Sequence, residues 1–224
     1  NQAFRDIVLK RNQAALSDPT GAVFDFQPCH SKIAGKLSPA YSFQSGISVA
    51  VGNCAQGTQL KHEMALEAGI LHQLFTGEPF TRNVFGTWDY LSHQVASSPF
   101  KPVDYMDKMD LFGYAYLPGF KPTKSRYLVG EIKRGSATTE DVKQLMKYVD
   151  WVKDEYCHGD YEMINAFLVA HDFAEDAISH TEDIGTRSYT VGVRPTQSLE
   201  WHNLKLVKYS FNAAASRIDF NVIN

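Results

Sequence analysis

Glu131 and Lys133 stand two apart in 126–133 (RYLVGEIK), a run otherwise rich in apolar residues. In an extended segment side chains alternate, so these two project from one face and Ile132 from the other. Burying an acid and an ammonium is unfavourable unless they are paired or bind a metal. Taken alone, a Glu-x-Lys step usually means an ion pair. Asp110 raises its weight, because it lies in 108–117 (KMDLFGYAYL), again among apolar neighbours. Two adjacent strands joined by a hairpin bring Asp110 and Glu131 to one end of a sheet. Two carboxylates, the Ile132 carbonyl and waters form an oxygen-rich octahedral site suited to Mg²⁺, with Mn²⁺ as a substitute. Such a cation activates water and offsets charge on a phosphate. Lys133 beside it is expected either to run at a depressed pKa or to act as a positive clamp on the attacking water and the transition-state oxygens.

The elements that must position these residues are read from periodicity. Residues 4–16 form a helix; 22–26 and 47–51 are short β-like pieces. Residues 58–76 (TQLKHEMALEAGILHQLFT) form a helix with Leu60, Met64, Leu66, Leu71, Leu74 and Phe75 on its apolar side, closed by Gly77 and Pro79. Strand-like pieces follow at 81–88 and 108–117, and 126–133 is a buried strand. A helix over 138–156 takes Thr138 as its N-cap, with Glu140 and Asp141 in the first turn and Val142, Leu145, Met146, Val149 and Val152 as core stripe. Strand 163–172, helix 173–184, strand 188–193 and two strands at 204–211 and 217–223 complete the chain. This order describes an α/β (α+β) fold, a mixed sheet with helices packed on it. Residues 1–58 are expected as an N-terminal extension and 59–224 as the domain that carries the carboxylates.

Composition narrows the function classes. The 224 residues are 44% hydrophobic and 21% charged, ordinary for a globular protein. No apolar stretch approaches the ~20 residues needed to cross a bilayer, so no membrane partner is expected. No leader opens the chain, which points to the cytoplasm. The first residue is Asn, which fits a domain of a larger protein. Cys29, Cys54 and Cys157 are widely spaced and form no zinc motif, as expected of reduced thiols. His62-Glu63 opens like HExxH, but Leu66 stands where the second histidine belongs. No nucleophile elbow, Walker loop or dinucleotide fingerprint is present. Net charge is −3, yet 121–153 holds eight basic residues against four acidic ones. A local basic surface can contact phosphates within an acidic whole, and Lys121, Lys124, Arg134, Lys143 and Lys147 are the expected contacts. The bland alternative is a solvated helix face laced with ion pairs.

Three linked motifs carry a resemblance: Met109-Asp110-Leu111-Phe112-Gly113, Val129-Gly130-Glu131-Ile132-Lys133-Arg134-Gly135 and Gln144-Leu145-Met146-Lys147-Tyr148, followed by Phe167-Leu168-Val169-Ala170. Together they resemble the PD-(D/E)XK nuclease superfamily, most closely NucS-type mismatch endonucleases and RecB-like nucleases, across 60–172. The resemblance implies a restriction-endonuclease-like αβββαβ core and Mg²⁺-dependent hydrolysis of DNA, in restriction, phage defence or repair. It implies that Glu63, on the first core helix, completes the metal site directly or through water, with Glu67 one turn further as runner-up. Gln144 would reach toward the site or the DNA backbone, or else be a surface glutamine beside a half-buried Tyr148. DNA is the implied partner, and a homodimer or further domains of a longer chain the implied assembly. Met109 replaces the customary proline, and Asp104 and Asp107 are nearby alternatives to Asp110. RNA is an alternative substrate. The rival reading is a catalytically inactive module of the same fold that binds nucleic acid or a protein.

Overall fold

The computed structural model describes residues 43–97 and 107–224. The expected helix at 4–16 and strand at 22–26 lie outside the described residues. The chain forms two compact units, Asn1–Gly46 and Ile47–Asn224, and the sheet belongs to the second. The expected boundary at 58/59 falls inside that unit.

Strand β5 (Lys124–Ala137) is buried at every position from Tyr127 to Ile132, as a strand covered on both faces must be. It pairs antiparallel with β4 (Lys108–Tyr116), which pairs antiparallel with the edge strand β3 (Tyr90–Ala96). Helix α4 (Thr139–Glu155) then carries the chain over to β6 (Ile164–Phe173), parallel to β5. A later hairpin, β9 (Leu204–Asn212) and β10 (Arg217–Val222), extends the sheet, with β9 parallel to β6. The order across the six strands is β10-β9-β6-β5-β4-β3. A separate hairpin pairs β7 (Arg187–Val191) with β8 (Gln197–Trp201), after helix α5 (Glu175–Gly185). This is the expected mixed sheet flanked by helices, in αβββαβ order.

Two apolar layers hold the sheet. On one face Tyr127 and Val129 of β5 meet Val142, Leu145, Met146, Val149 and Val152 of α4, the stripe read from sequence. On the other, Leu128 and Ile132 meet Leu66, Ile70 and Leu74 of helix α2 (Glu63–Thr76). Alternation therefore directs Glu131 and Lys133, which share Val129's parity, to the α4 face. Gly113 lets the edge strand close in, because a Cβ there would lie 2.8 Å from the Tyr90 carbonyl oxygen.

Several elements differ from expectation. Helix α2 begins at Glu63, not 58. Ahead of it β1 (Ala55–Gln56) and β2 (Gln59–Leu60) form a small hairpin whose turn uses Gly57 at φ 64°. Its buried side is Leu66, Glu67, Gly69, Ile70, Gln73 and Leu74, while Met64 and Phe75 are 77% and 73% exposed. Gln73 is buried because β10 satisfies it: its amide donates to the Ile218 carbonyl at 2.8 Å and accepts from the Ile218 N–H at 2.7 Å. The expected strand at 81–88 is largely helix α3 (Pro79–Phe85), with proline at its start and the Glu78 carboxylate accepting from the Thr81 N–H at 2.8 Å. The β-like piece 47–51 lies in helix α1 (Phe43–Asn53), where Ile47 and Val51, four apart, pack inward and Val49 stays exposed. Strands β3 and β8 were not anticipated.

Candidate active site

Asp110 sits near the start of β4 where β4 and β5 run side by side, one step beyond the paired residues Leu111 and Gly130. Its Oδ2 accepts the Ile132 N–H at 2.8 Å, which ties the first carboxylate to the strand that carries the second. Glu131 is 2% exposed. Its Oε1 accepts from Lys133 Nζ at 2.7 Å, and its Oε2 is buried with no hydrogen-bond partner. An orphaned carboxylate oxygen facing burial is unfavourable in a finished core and is what a cation ligand looks like without its cation.

The electrostatics agree with that reading. Burial, and then the neighbouring Asp110 charge, push Glu131 up from its ordinary 4.5 to about 7, although Lys133 pulls the other way. Burial also raises Asp110 against the lowering effect of the Ile132 N–H and Gln94. Carboxylates raised by desolvation and mutual repulsion are relieved by a bound cation. Burial alone would lower the Lys133 ammonium, but Glu131 and Asp141 outweigh it and raise it overall. Without a cation the two carboxylates therefore hold Lys133 as the ammonium, the form that the positive clamp needs.

Lys133 is also held by the helix that follows. Asp141 Oδ2 accepts from the N–H and the hydroxyl of Thr138 at 2.7 and 2.9 Å, capping α4, while its Oδ1 lies 3.5 Å from Lys133 Nζ. One carboxylate thus fixes the helix start and the lysine together. The Thr138-x-x-Asp141 spacing was visible in sequence, but the reach to Lys133 was not.

On the other side of Asp110, Gln94 was missed because its strand was missed. It lies opposite Asp110 on β3 with φ 51°, a left-handed conformation uncommon for a residue other than glycine. Its amide donates to Asp110 Oδ1 at 2.7 Å and to Glu67 Oε2 at 3.3 Å. Glu67, 7% exposed and raised by burial, also pairs with the His93 ring. The runner-up carboxylate of α2 is thereby linked to Asp110 through an amide. Glu63, by contrast, is exposed at the first residue of α2, and its Oε1 accepts from the Arg134 N–H at 3.2 Å. It is near enough to raise both Asp110 and Lys133.

The remaining sequence-derived residues fall into separate places. Gln144 donates to the Tyr148 hydroxyl at 2.8 Å. Tyr148 is buried, and burial lifts its phenol to about 12, with Glu131, Asp107 and Asp110 adding to the rise. Gln144 thus pairs with a tyrosine that belongs to the core, and the carboxylate charges reach that tyrosine electrostatically. Lys143 and Lys147 are exposed on α4, and Lys143 pairs with Glu140 at 2.6 Å. Arg134 is exposed and donates to the Lys61 carbonyl at 2.9 Å. Lys121 and Lys124 lie at the hairpin end of β4 and β5, about 20 Å along the strand from Asp110. Asp107 is exposed just ahead of β4, and Asp104 lies outside the described residues.

Among the described residues no three His, Cys, Asp or Glu side chains cluster as a metal site on their own. Two neighbouring carboxylates, one with an unpartnered buried oxygen, are nevertheless the kind of oxygen donors a hard cation takes. No family model matches the chain, and no curated protein does. Among solved structures, the chain is similar to a repair endonuclease from Pyrococcus abyssi, at 24% identity over 58% of this chain and 46% of that one, with a TM-score of 0.35. It is also similar to a chain solved as an EndoMS-dsDNA2 complex, at 20% identity over 50% of this chain and 40% of that one, with a TM-score of 0.30. The matched region spans less than half the length of either.

Proposed function

We propose that this chain is a PD-(D/E)XK nuclease domain that hydrolyses DNA phosphodiester bonds with Mg²⁺, in the cytoplasm and as part of a larger assembly. One observation carries the reading: Asp110, bonded to the Ile132 N–H at 2.8 Å, stands beside a buried Glu131 whose Oε2 has no partner. Asp110, Glu131 and the Ile132 carbonyl would hold the cation, with Glu63 joining through water. When bound, the cation would supply Lewis acidity to the phosphate and lower the pKa of a water. Lys133, kept charged by Glu131 and Asp141, stabilises the negative charge that grows on the phosphoryl oxygens. Gln94 holds the Asp110 carboxylate in orientation, and Gln144 is held by the Tyr148 hydroxyl.

The test is cleavage of supercoiled DNA, single-stranded DNA and RNA with and without Mg²⁺. Wild type is expected to cut DNA only with the cation, and Asp110→Ala and Lys133→Ala to lose cleavage by at least about a thousandfold while folding normally. Undiminished cleavage by both variants would refute the assignment.

A further inference from the structure

The hairpin end of β3, β4 and β5 carries a pile of rings and cations that the cation site does not use. Lys124 Nζ lies 4.4 Å above the Tyr114 ring. Tyr114 stacks in parallel on Tyr90, with centroids 4.8 Å apart and planes inclined by 12°. Tyr116 meets the edge of Tyr114 at 5.3 Å and receives Lys121 over its own ring at 4.9 Å. Arg126 lies 5.1 Å from the centre of the Trp88 ring. The pile thus begins with a cation, passes through two stacked rings and stops at Tyr90, which is 44% exposed on the edge strand.

Edge protection accounts for polar and charged groups on β3, but not for this arrangement. Lys124 belongs to the central strand β5, and among the described residues no carboxylate comes within ion-pair distance of it. Arg126 likewise has no acidic partner there, and of these three cations Asp89 pairs with Lys121 alone, at 3.6 Å, while also accepting the Tyr116 N–H at 2.9 Å. Three cations against one carboxylate leave a positive excess around an open aromatic face. Tyr90 pairs in register with Tyr114, four residues along β4 from Asp110 and of the same parity. It therefore lies on the face that presents Asp110, about 13 Å away. A nucleic-acid strand with one phosphate at Asp110 and Glu131 can follow β4 to this pile.

We propose that the outer face of Tyr90 is a stacking subsite for an unpaired nucleobase, with Lys121, Lys124 and Arg126 attracting the adjoining phosphates. This rests on the nuclease reading only in that the strand is the one presented to the cation site. The parallel stack supplies a flat, sequence-tolerant surface, and the cations behind it supply the salt-dependent part of the affinity.

The experiment is fluorescence anisotropy in EDTA, which blocks cleavage, using a labelled single-stranded oligonucleotide and a blunt duplex of the same sequence. Tyr90→Ala is expected to weaken single-strand binding about tenfold and Tyr90→Phe to stay within about twofold of wild type, the duplex changing little. Lys124→Gln is expected to flatten the loss of affinity between about 50 and about 200 mM salt, and Tyr90→Ala to leave that slope unchanged. Melting curves establish that each variant is folded. Single-strand affinity unchanged in Tyr90→Ala, or equal losses on single strand and duplex, would overturn the subsite. If wild type binds neither nucleic acid, the subsite is also wrong. Mg²⁺-dependent cleavage, measured separately, then decides the nuclease reading on its own.

Discussion

The two helices that flank β5 do different work by different means. Helix α4 seals its face with an apolar stripe, Val142, Leu145, Met146, Val149 and Val152, that any reading of periodicity finds. Helix α2 buries Leu66, Ile70 and Leu74 but also Glu67 and Gln73, and exposes Met64 and Phe75. On α2 burial follows hydrogen-bond partners as well as side-chain hydrophobicity: β10 satisfies Gln73, and the Gln94 amide and His93 satisfy Glu67. The same contrast recurs within β5, where Ile132 packs toward α2 and Glu131 lies, partly unsatisfied, beneath α4. Gln73 and Glu67 are thus satisfied where they are buried, whereas Glu131 Oε2 is not.

Stability measurements sharpen that contrast, beginning with the largest change. Leu145→Ala, which opens a cavity under α4, is expected to lose about 4 kcal/mol in urea denaturation. Gln73→Leu, although more hydrophobic, is expected to lose about 2 kcal/mol, because it strands the Ile218 backbone groups. Phe75→Ser is expected to change stability by about 0.5 kcal/mol or less. A neutral Gln73→Leu together with a damaging Phe75→Ser would restore the purely hydrophobic picture of α2.

Glu131 gives a pH-dependent form of the same test. Its folded pKa of about 7 lies above its ordinary 4.5, so the folded state holds the proton more tightly. Below about pH 4.5 both states are protonated and no penalty applies. As pH rises to 7 the folded state loses about 3 kcal/mol relative to the unfolded one, and Asp110 and the buried Glu67, both raised first by desolvation, act in the same direction. Denaturation without divalent cations is expected to show this decline, and Glu131→Gln to flatten it. A wild-type profile that rises across that window would contradict the burial of an ionised Glu131.

What could be read in the sequence divides along the same line. Strands β4, β5 and β6 and helix α4 carry dense apolar patterns, and they place Asp110, Glu131 and Lys133 together. The start of α2 was misread because Leu60 continues its apolar pattern, although it belongs to a hairpin turned by Gly57. Edge strand β3 has too few buried residues to announce itself, so Gln94 stayed hidden. The upward shift of Lys133 comes first from Glu131, and Asp141, eight residues on, adds to it by reaching back from the helix cap. Such contacts are set by tertiary geometry and leave no period in the chain.

The central claim is that Asp110 and Glu131 share one cation, and the melting temperature under Mn²⁺ titration tests it most directly. At a hundredfold excess over Kd, wild type is expected to gain about 2.7 kcal/mol, a rise of about 5 to 10 °C, and Asp110→Asn and Glu131→Gln to show none of it. A wild type that does not respond to Mn²⁺, or variants that respond as it does, would contradict the account.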